Sequence, residues 1–399
     1  NLSGLDFQGH NLSEVDFTGS KLFSAIFINA NLTRAVFYGA DLRIANFHRA
    51  NLTKTDMRGA CLRGAILTSS TMVEADLRDG SLMRQDDDGV LQNTSVRTEI
   101  TCVTARGADL TNARLSNAFV MQTDLTDAIL RGSIFIRANL ANSILIGCDL
   151  TDADLTGATL VGAQLQGAVM DHTKVTGADF SNANLISAII EDSDIDEAQF
   201  AKAIRPQSLA DMEMDIEKVL ANHLLWVQSG AKQGRRADLV GLDLHGLDLH
   251  GANLAAGLMT SARLTNVDFT NAELSMSDMS LADLRNANFS GADMRGVNLD
   301  RATLIGANLT NADLSAMPLQ NGLKHAWPSS LLRGRIRNTK LTGANFARAQ
   351  LNGANFANSD LSGTNFTDSD LSGVDLTGAK VTDTDFTGAN LQGIKGMSQ

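Results

Sequence analysis

The chain has 399 residues, 43% hydrophobic and 20% charged, with 34 Gly, 3 Pro and a formal net charge of -12. This length allows a large core or several domains, and scarce proline with regular apolar spacing sets the chain apart from a disordered one. The acidic balance argues against direct nucleic-acid binding and against docking on anionic membranes, and no run of 18 apolar residues is present to span a bilayer.

Read from its start, the chain places a large apolar residue at every fifth position. These centres run unbroken from Leu2 through Phe7, Leu12, Phe17, Phe27 and Met57 to Leu82. A small residue sits two positions before each, as at Ala30, Ala35, Ala40, Ala45 and Ala50, and Asn or Asp usually lies between. Five fits neither a helical face nor a strand's alternation, and Thr, Asn and Gly fill too many positions for a helical solenoid. The first break, Met83 to Ile100, is expected to be an acidic loop around Asp86, Asp87 and Asp88, solvated rather than metal-binding because no EF-hand spacing follows. Val90 and Ile100 fall in the register of the next block, so some coil is expected to persist there.

The second block runs from Leu110 to Phe200 and ends in the densest acidic run, with Glu191, Asp192, Asp194 and Asp196. The stretch at 206–234 departs from the period. Leu209, Met212, Ile216, Val219, Leu220, Leu224 and Val227 recur at three and four, which predicts an amphipathic helix of about twenty residues. Ser208 with Asp211 offers a start and Gly230 an end. Its stripe is expected to pack on the repeats or on another copy, with His223 and Trp226 near its end; His223 reads as a packing or surface residue, since no second metal ligand accompanies it. Blocks three and four, Leu239–Leu314 and Ile336–Leu391, flank an irregular stretch holding Pro318, Pro328 and Trp327. Trp327 is expected to close the shaft as a lid, in preference to an exposed contact.

In all, sixty-four repeats cover about four fifths of the chain. With their small residue, Asn or Asp, and Leu or Phe, they resemble the pentapeptide repeat family, A(N/D)LXX. The resemblance implies an all-β fold, a right-handed quadrilateral β-helix of four repeats per coil, with centres and small residues pointing into the shaft. Identical faces then recur after twenty residues, as Phe7, Phe27 and Phe47 do, and Phe17 with Phe37, Phe269 with Phe289, and Phe346 with Phe366 and Phe386. Sixteen coils at ~4.8 Å each make about 77 Å. The expected organisation is a β-helix over 1–205 with a loop at about 83–104, a helical insert at 206–234, and a second β-helix over 235–399 with a loop at about 315–335; the period leaves coaxial and hinged arrangements both open.

Catalytic signatures are missing: no HExxH, GxSxG, Walker loop or dinucleotide fingerprint stands in a fitting context. Most acids occupy the Asn/Asp slot, which gives them a structural reason, so no catalytic, cofactor-binding or metal residue is expected. Cys61, Cys102 and Cys148 match no metal spacing and are expected as free thiols in a reducing, cytoplasmic setting, with an upstream leader left open by a chain that begins at Asn1 inside a repeat. The expected function is a non-catalytic scaffold that binds a protein partner, with a homodimer left open. Candidate contacts are Leu209, Met212, Ile216, Leu220, His223, Trp226 and Trp327 with the acidic run from Glu191. The resemblance also implies a bacterial protein and two alternatives: an acidic DNA mimic that binds DNA gyrase, and a secreted effector.

Overall fold

The computed structural model describes residues 1–85, 91–190, 200–318 and 326–397. Each repeat forms one short side and one corner. The residue before the centre makes a parallel bridge to its counterpart four repeats on, as in Asp6 to Ile26, Ile26 to Asn46 and Asn46 to Ile66. Backbone groups close this ladder: Phe7 N–H donates to the Ile26 carbonyl at 2.7 Å, and Ile26 N–H donates back to Leu5 at 2.9 Å. The corner is closed by the small residue, whose N–H donates to the centre three residues before it, as Ala30 does to Phe27 at 3.0 Å. Four such sides return the chain to its starting face.

The Asn or Asp of the motif has a local task. Its side-chain oxygen accepts the N–H two residues on, as Asp16 does from Thr18 at 2.8 Å and Asp109 from Thr111 at 3.0 Å, which fixes the turn. The residue after that adopts the left-handed conformation, filled by Asn112 and Asn142 but also by Ile44 at φ 51°. A β-branched residue is poorly suited to that region. Ile44 is also exposed, so Ile44→Asn is expected to stabilise the surrounding coils by about 1 kcal/mol, read as a rise in denaturation midpoint; an unchanged or lower midpoint would refute the strain.

Centres and small residues fill the shaft. Phe7, Phe27 and Phe47 stack at 5.0 and 4.8 Å, Phe17 on Phe37 at 5.0 Å, and Phe269 on Phe289 at 5.0 Å. Phe27 and Phe37 also meet edge to face at 5.9 Å, so rings from different sides interlock. Ala25, Ala30, Ala35 and Ala40 are buried beside them and leave the rings room.

The chain divides into two compact units, Asn1–Ile204 and Arg205–Gln399, each with its own core. In the first, the break is a β-hairpin of β1 (Gly80–Gln85) and β2 (Leu91–Val96). Tyr38 anchors its base, with the phenol both accepting from Ser81 N–H and donating to Ser81 O at 2.5 Å. Coil resumes early: Thr98 donates to the Arg78 carbonyl at 2.6 Å, and Cys61 bridges Glu99, where an unbroken period would have chosen Ser81. This break therefore both begins and ends earlier than 83–104. Asp86, Asp87, Asp88 and Val90 lie outside the described residues. Ile100 is a buried centre, followed by Ala105 at the next centre position.

The second unit begins with β3 (Gln207–Ser208), which pairs in parallel with β4 (Leu242–Asp243), and with helix α1 (Ile216–Gln228). Its break is a smaller hairpin, β5 (Met317–Pro318) against β6 (Ala326–Trp327), after which Asn298 bridges Ser330.

Candidate interaction surfaces

Helix α1 is shorter than the amphipathic pattern predicts. Asp215 caps it by accepting from Lys218 N–H at 3.3 Å, and it ends at Ser229. Ser208 and Asp211 do exchange hydrogen bonds, at 2.8 to 3.1 Å, but they close a separate turn in which Met214 N–H reaches Leu209 O. Two adjacent cap signals split one periodic stretch into a turn and a helix.

This segment covers the first coil of the second unit. Leu209, Met214, Ile216, Val219 and Leu220 pack on that unit's core. His223 is buried and its Nδ1 accepts the Ala237 N–H at 2.9 Å, while Trp226 stacks on the imidazole at 5.6 Å. Burial above all, with the field of Arg236 as a lesser cause, holds the His223 pKa below its usual value; the Ala255 backbone acts the other way and is outweighed. Gly234 passes so close to α1 that a Cβ there would lie 2.1 Å from the Asn222 carbonyl oxygen. No other residue fits.

Helix α1, the turn before it and the first coil together line a groove of about 700 Å³. Met212, Met214, Val219, Val240 and Leu242 supply its apolar lining, and Lys218, Arg235, Arg236, Glu213, Asp215 and Asp238 its charges. Met212 is 44% exposed and Val240 48%. Of the seven expected contacts outside the acidic run, Leu209, Ile216, Leu220 and His223 lie against their own unit, Met212 faces the groove and Trp226 is half-buried. Arg235, Arg236 and Val240 were not legible as groove residues, because their neighbours arrive from α1 rather than from the repeat.

Trp327 is a correction. It is 54% exposed on β6, so it is not a lid. The shaft at this level is already filled by Leu299, Leu314 and Leu331, all fully buried, and the hairpin leaves from a corner to lay the indole near Gly296 outside. Glu191, Asp192, Asp194 and Asp196 lie outside the described residues.

Elsewhere several arginines are paired with neighbouring acids. Arg43, Arg58 and Arg78 each fork onto the Asp two residues before them, at 2.6 to 2.7 Å. The cysteines are free, and burial above all raises the Cys61 pKa. Among the described residues no group of three His, Cys, Asp or Glu could hold a metal ion, and no helix is long and apolar enough to cross a membrane.

A packed four-sided shaft, parallel bridges between every fourth repeat and Asx-closed corners define a repeat β-helix. The chain belongs to the pentapeptide repeat family, whose model, described as pentapeptide repeats (8 copies), matches residues 1–82, 106–200, 248–316 and 335–393 in overlapping segments. Similar solved structures include HetL, a pentapeptide repeat protein involved in heterocyst differentiation regulation from the cyanobacterium Nostoc sp. strain PCC 7120. It is 24% identical, over 76% of this chain and 90% of that one, at a TM-score of 0.17. Full-length QnrB1, a plasmid-mediated fluoroquinolone resistance protein, is 19% identical over 68% of this chain and 92% of its own, at a TM-score of 0.22. Rfr23 from the cyanobacterium Cyanothece 51142 is 23% identical over 44% and 98%, at 0.13. Scores this low say nothing about function. No curated protein matches the chain.

Proposed function

We propose that this chain acts by binding a protein partner, with its β-helices as stiff, non-catalytic supports. The observation that carries this reading is the groove beside α1, where exposed Met212 and Val240 lie among charged side chains of both signs. An apolar floor with a charged rim is how protein interfaces are commonly built. The double variant Met212→Glu, Val240→Glu changes exposed side chains only. It is expected to fold as the parent does and to lose any partner that co-purifies with the parent. Retention of that partner by the variant would remove the groove from the interface.

Within this class, a partner that handles DNA is the more specific reading, and one feature favours it. Glu273, Asp293 and Asp313 follow one another on successive coils of one side, in a chain of net charge -12. Such a column would meet a basic DNA-binding surface in the place of DNA. The expected result is that purified protein alters supercoiling by DNA gyrase, by protection or inhibition, and that Glu273→Lys with Asp313→Lys weakens the effect. Gyrase left unaffected at micromolar protein would remove this reading and leave the groove.

A further inference from the structure

Most repeats close their corner with one hydrogen bond, from the small residue's N–H to the carbonyl of the centre three residues before it, though Thr123 and Thr339 donate instead to Ser143 and Ser359 on the next coil. In the second unit Ala252 donates to Leu249, Ala262 to Met259 and Ala272 to Phe269, at 3.0 to 3.1 Å. Ala237 opens the first coil and has no such carbonyl, because the residue three before it is Gly234, pressed against α1. His223 Nδ1 takes the carbonyl's place at 2.9 Å. Only a neutral imidazole can accept this bond, which puts the ring's proton on Nε2. Nε2 is itself buried, with the Ala255 backbone beside the ring and no group among the described residues in full hydrogen-bond geometry to it. A proton on Nδ1 would set one N–H against another at the point where α1 joins the coil.

We infer that His223 is a proton-operated latch: charging the imidazole releases α1 from the first coil of the second unit and uncovers the shaft end beneath it. The groups that bear on the ring oppose its charging more than they favour it. From α1 comes the stacked, uncharged Trp226, from the entering segment the Ala237 N–H and the Arg236 guanidinium, and from the first coil the Ala255 backbone. Lys218 and Asp215, at the start of α1, pair with each other at 3.1 Å. The sign is definite. A histidine whose pKa is depressed by folding contributes stability that is complete above its unfolded value of about 6.5 and is lost as pH falls. Below that value the open state should gain up to about tenfold per pH unit, until the pKa of the folded ring is passed. Release would expose the part of the second unit's core against which Leu209, Ile216 and Val219 now pack.

The test uses the full chain carrying Trp327→Phe, which leaves Trp226 as the sole tryptophan. Trp226 fluorescence reports charging of the stacked ring, and hydrogen exchange over 216–228, corrected for intrinsic rates, reports release. Between pH 7.5 and 5 the latch predicts fluorescence quenching together with at least a tenfold loss of protection in α1, while coils 259–314 keep theirs. H223Q, whose amide oxygen can accept from Ala237 without titrating, should keep α1 protected throughout. Flat protection in the parent, or the same pH response in H223Q, would overturn the latch. Should H223Q fail to hold α1 at neutral pH, imidazole NMR of the parent decides. An Nε2–H tautomer whose charging coincides with loss of α1 protection supports the latch, and charging with protection retained refutes it.

Discussion

Phe27→Ala is expected to destabilise the first unit by about 3–5 kcal/mol, the usual range for a large aromatic removed from a closed core. Phe27 is fully buried and stacks on Phe7 and Phe47 while touching Phe17 and Phe37 edge-on. The coil cannot collapse onto the void, because its backbone is held by ladders to the coils on both sides. Solenoid energetics are close to nearest-neighbour, so the loss should stay local. Denaturant-dependent hydrogen exchange would show it as early opening around residues 7–47, with peptides of the second unit unchanged. A loss below about 1 kcal/mol would mean that these rings do not fill a common shaft.

The second large effect lies at a charge. Asp283 is 3% exposed and accepts the Arg285 guanidinium on both oxygens, at 2.8 and 2.7 Å. Asp283→Ala leaves a largely buried guanidinium without its carboxylate, at an expected cost of about 3 kcal/mol in the second unit. Asp41 makes the same fork to Arg43 in the open, and Asp41→Ala should cost under about 1 kcal/mol. Equal losses at the two sites, measured by the same exchange experiment, would show that burial does not separate them.

The shaft was legible in the sequence because its rule is strict: an inward bulky residue needs an inward small one, and both recur at five. Phe7, Phe27 and Phe47 announced the four sides, since stacked rings fill a narrow prism evenly. The period misled where it ran past its physical cause. Leu82 continues the count of five, yet its backbone lies on β1 opposite Thr94. Ala105 had the reverse effect, because a small residue at a centre hid a coil that is present. At the insert, the three-and-four spacing was real, but Asp215 competes with Ser208 as a cap and wins the helix. Trp327 could not be placed from its apolar neighbours, since nothing in them says that the shaft beside it is already full. The groove escaped for a similar reason: Val240 sits in the variable slot of an ordinary repeat, and only α1 makes it part of a wall.

The claim on which the rest stands is that four repeats make one turn, continuously through the hairpins. It places Cys61 beside Glu99, on the far side of the first hairpin, and not beside Ser81, where an uninterrupted count of four repeats would land. Glu99→Cys and Ser81→Cys can each be made in a chain with Cys102 and Cys148 replaced by serine and alanine, and treated with a bimane that fluoresces only when it bridges two thiols. The account predicts a bridge from Cys61 to position 99 and none to position 81. A bridge to position 81 with none to 99 would contradict it.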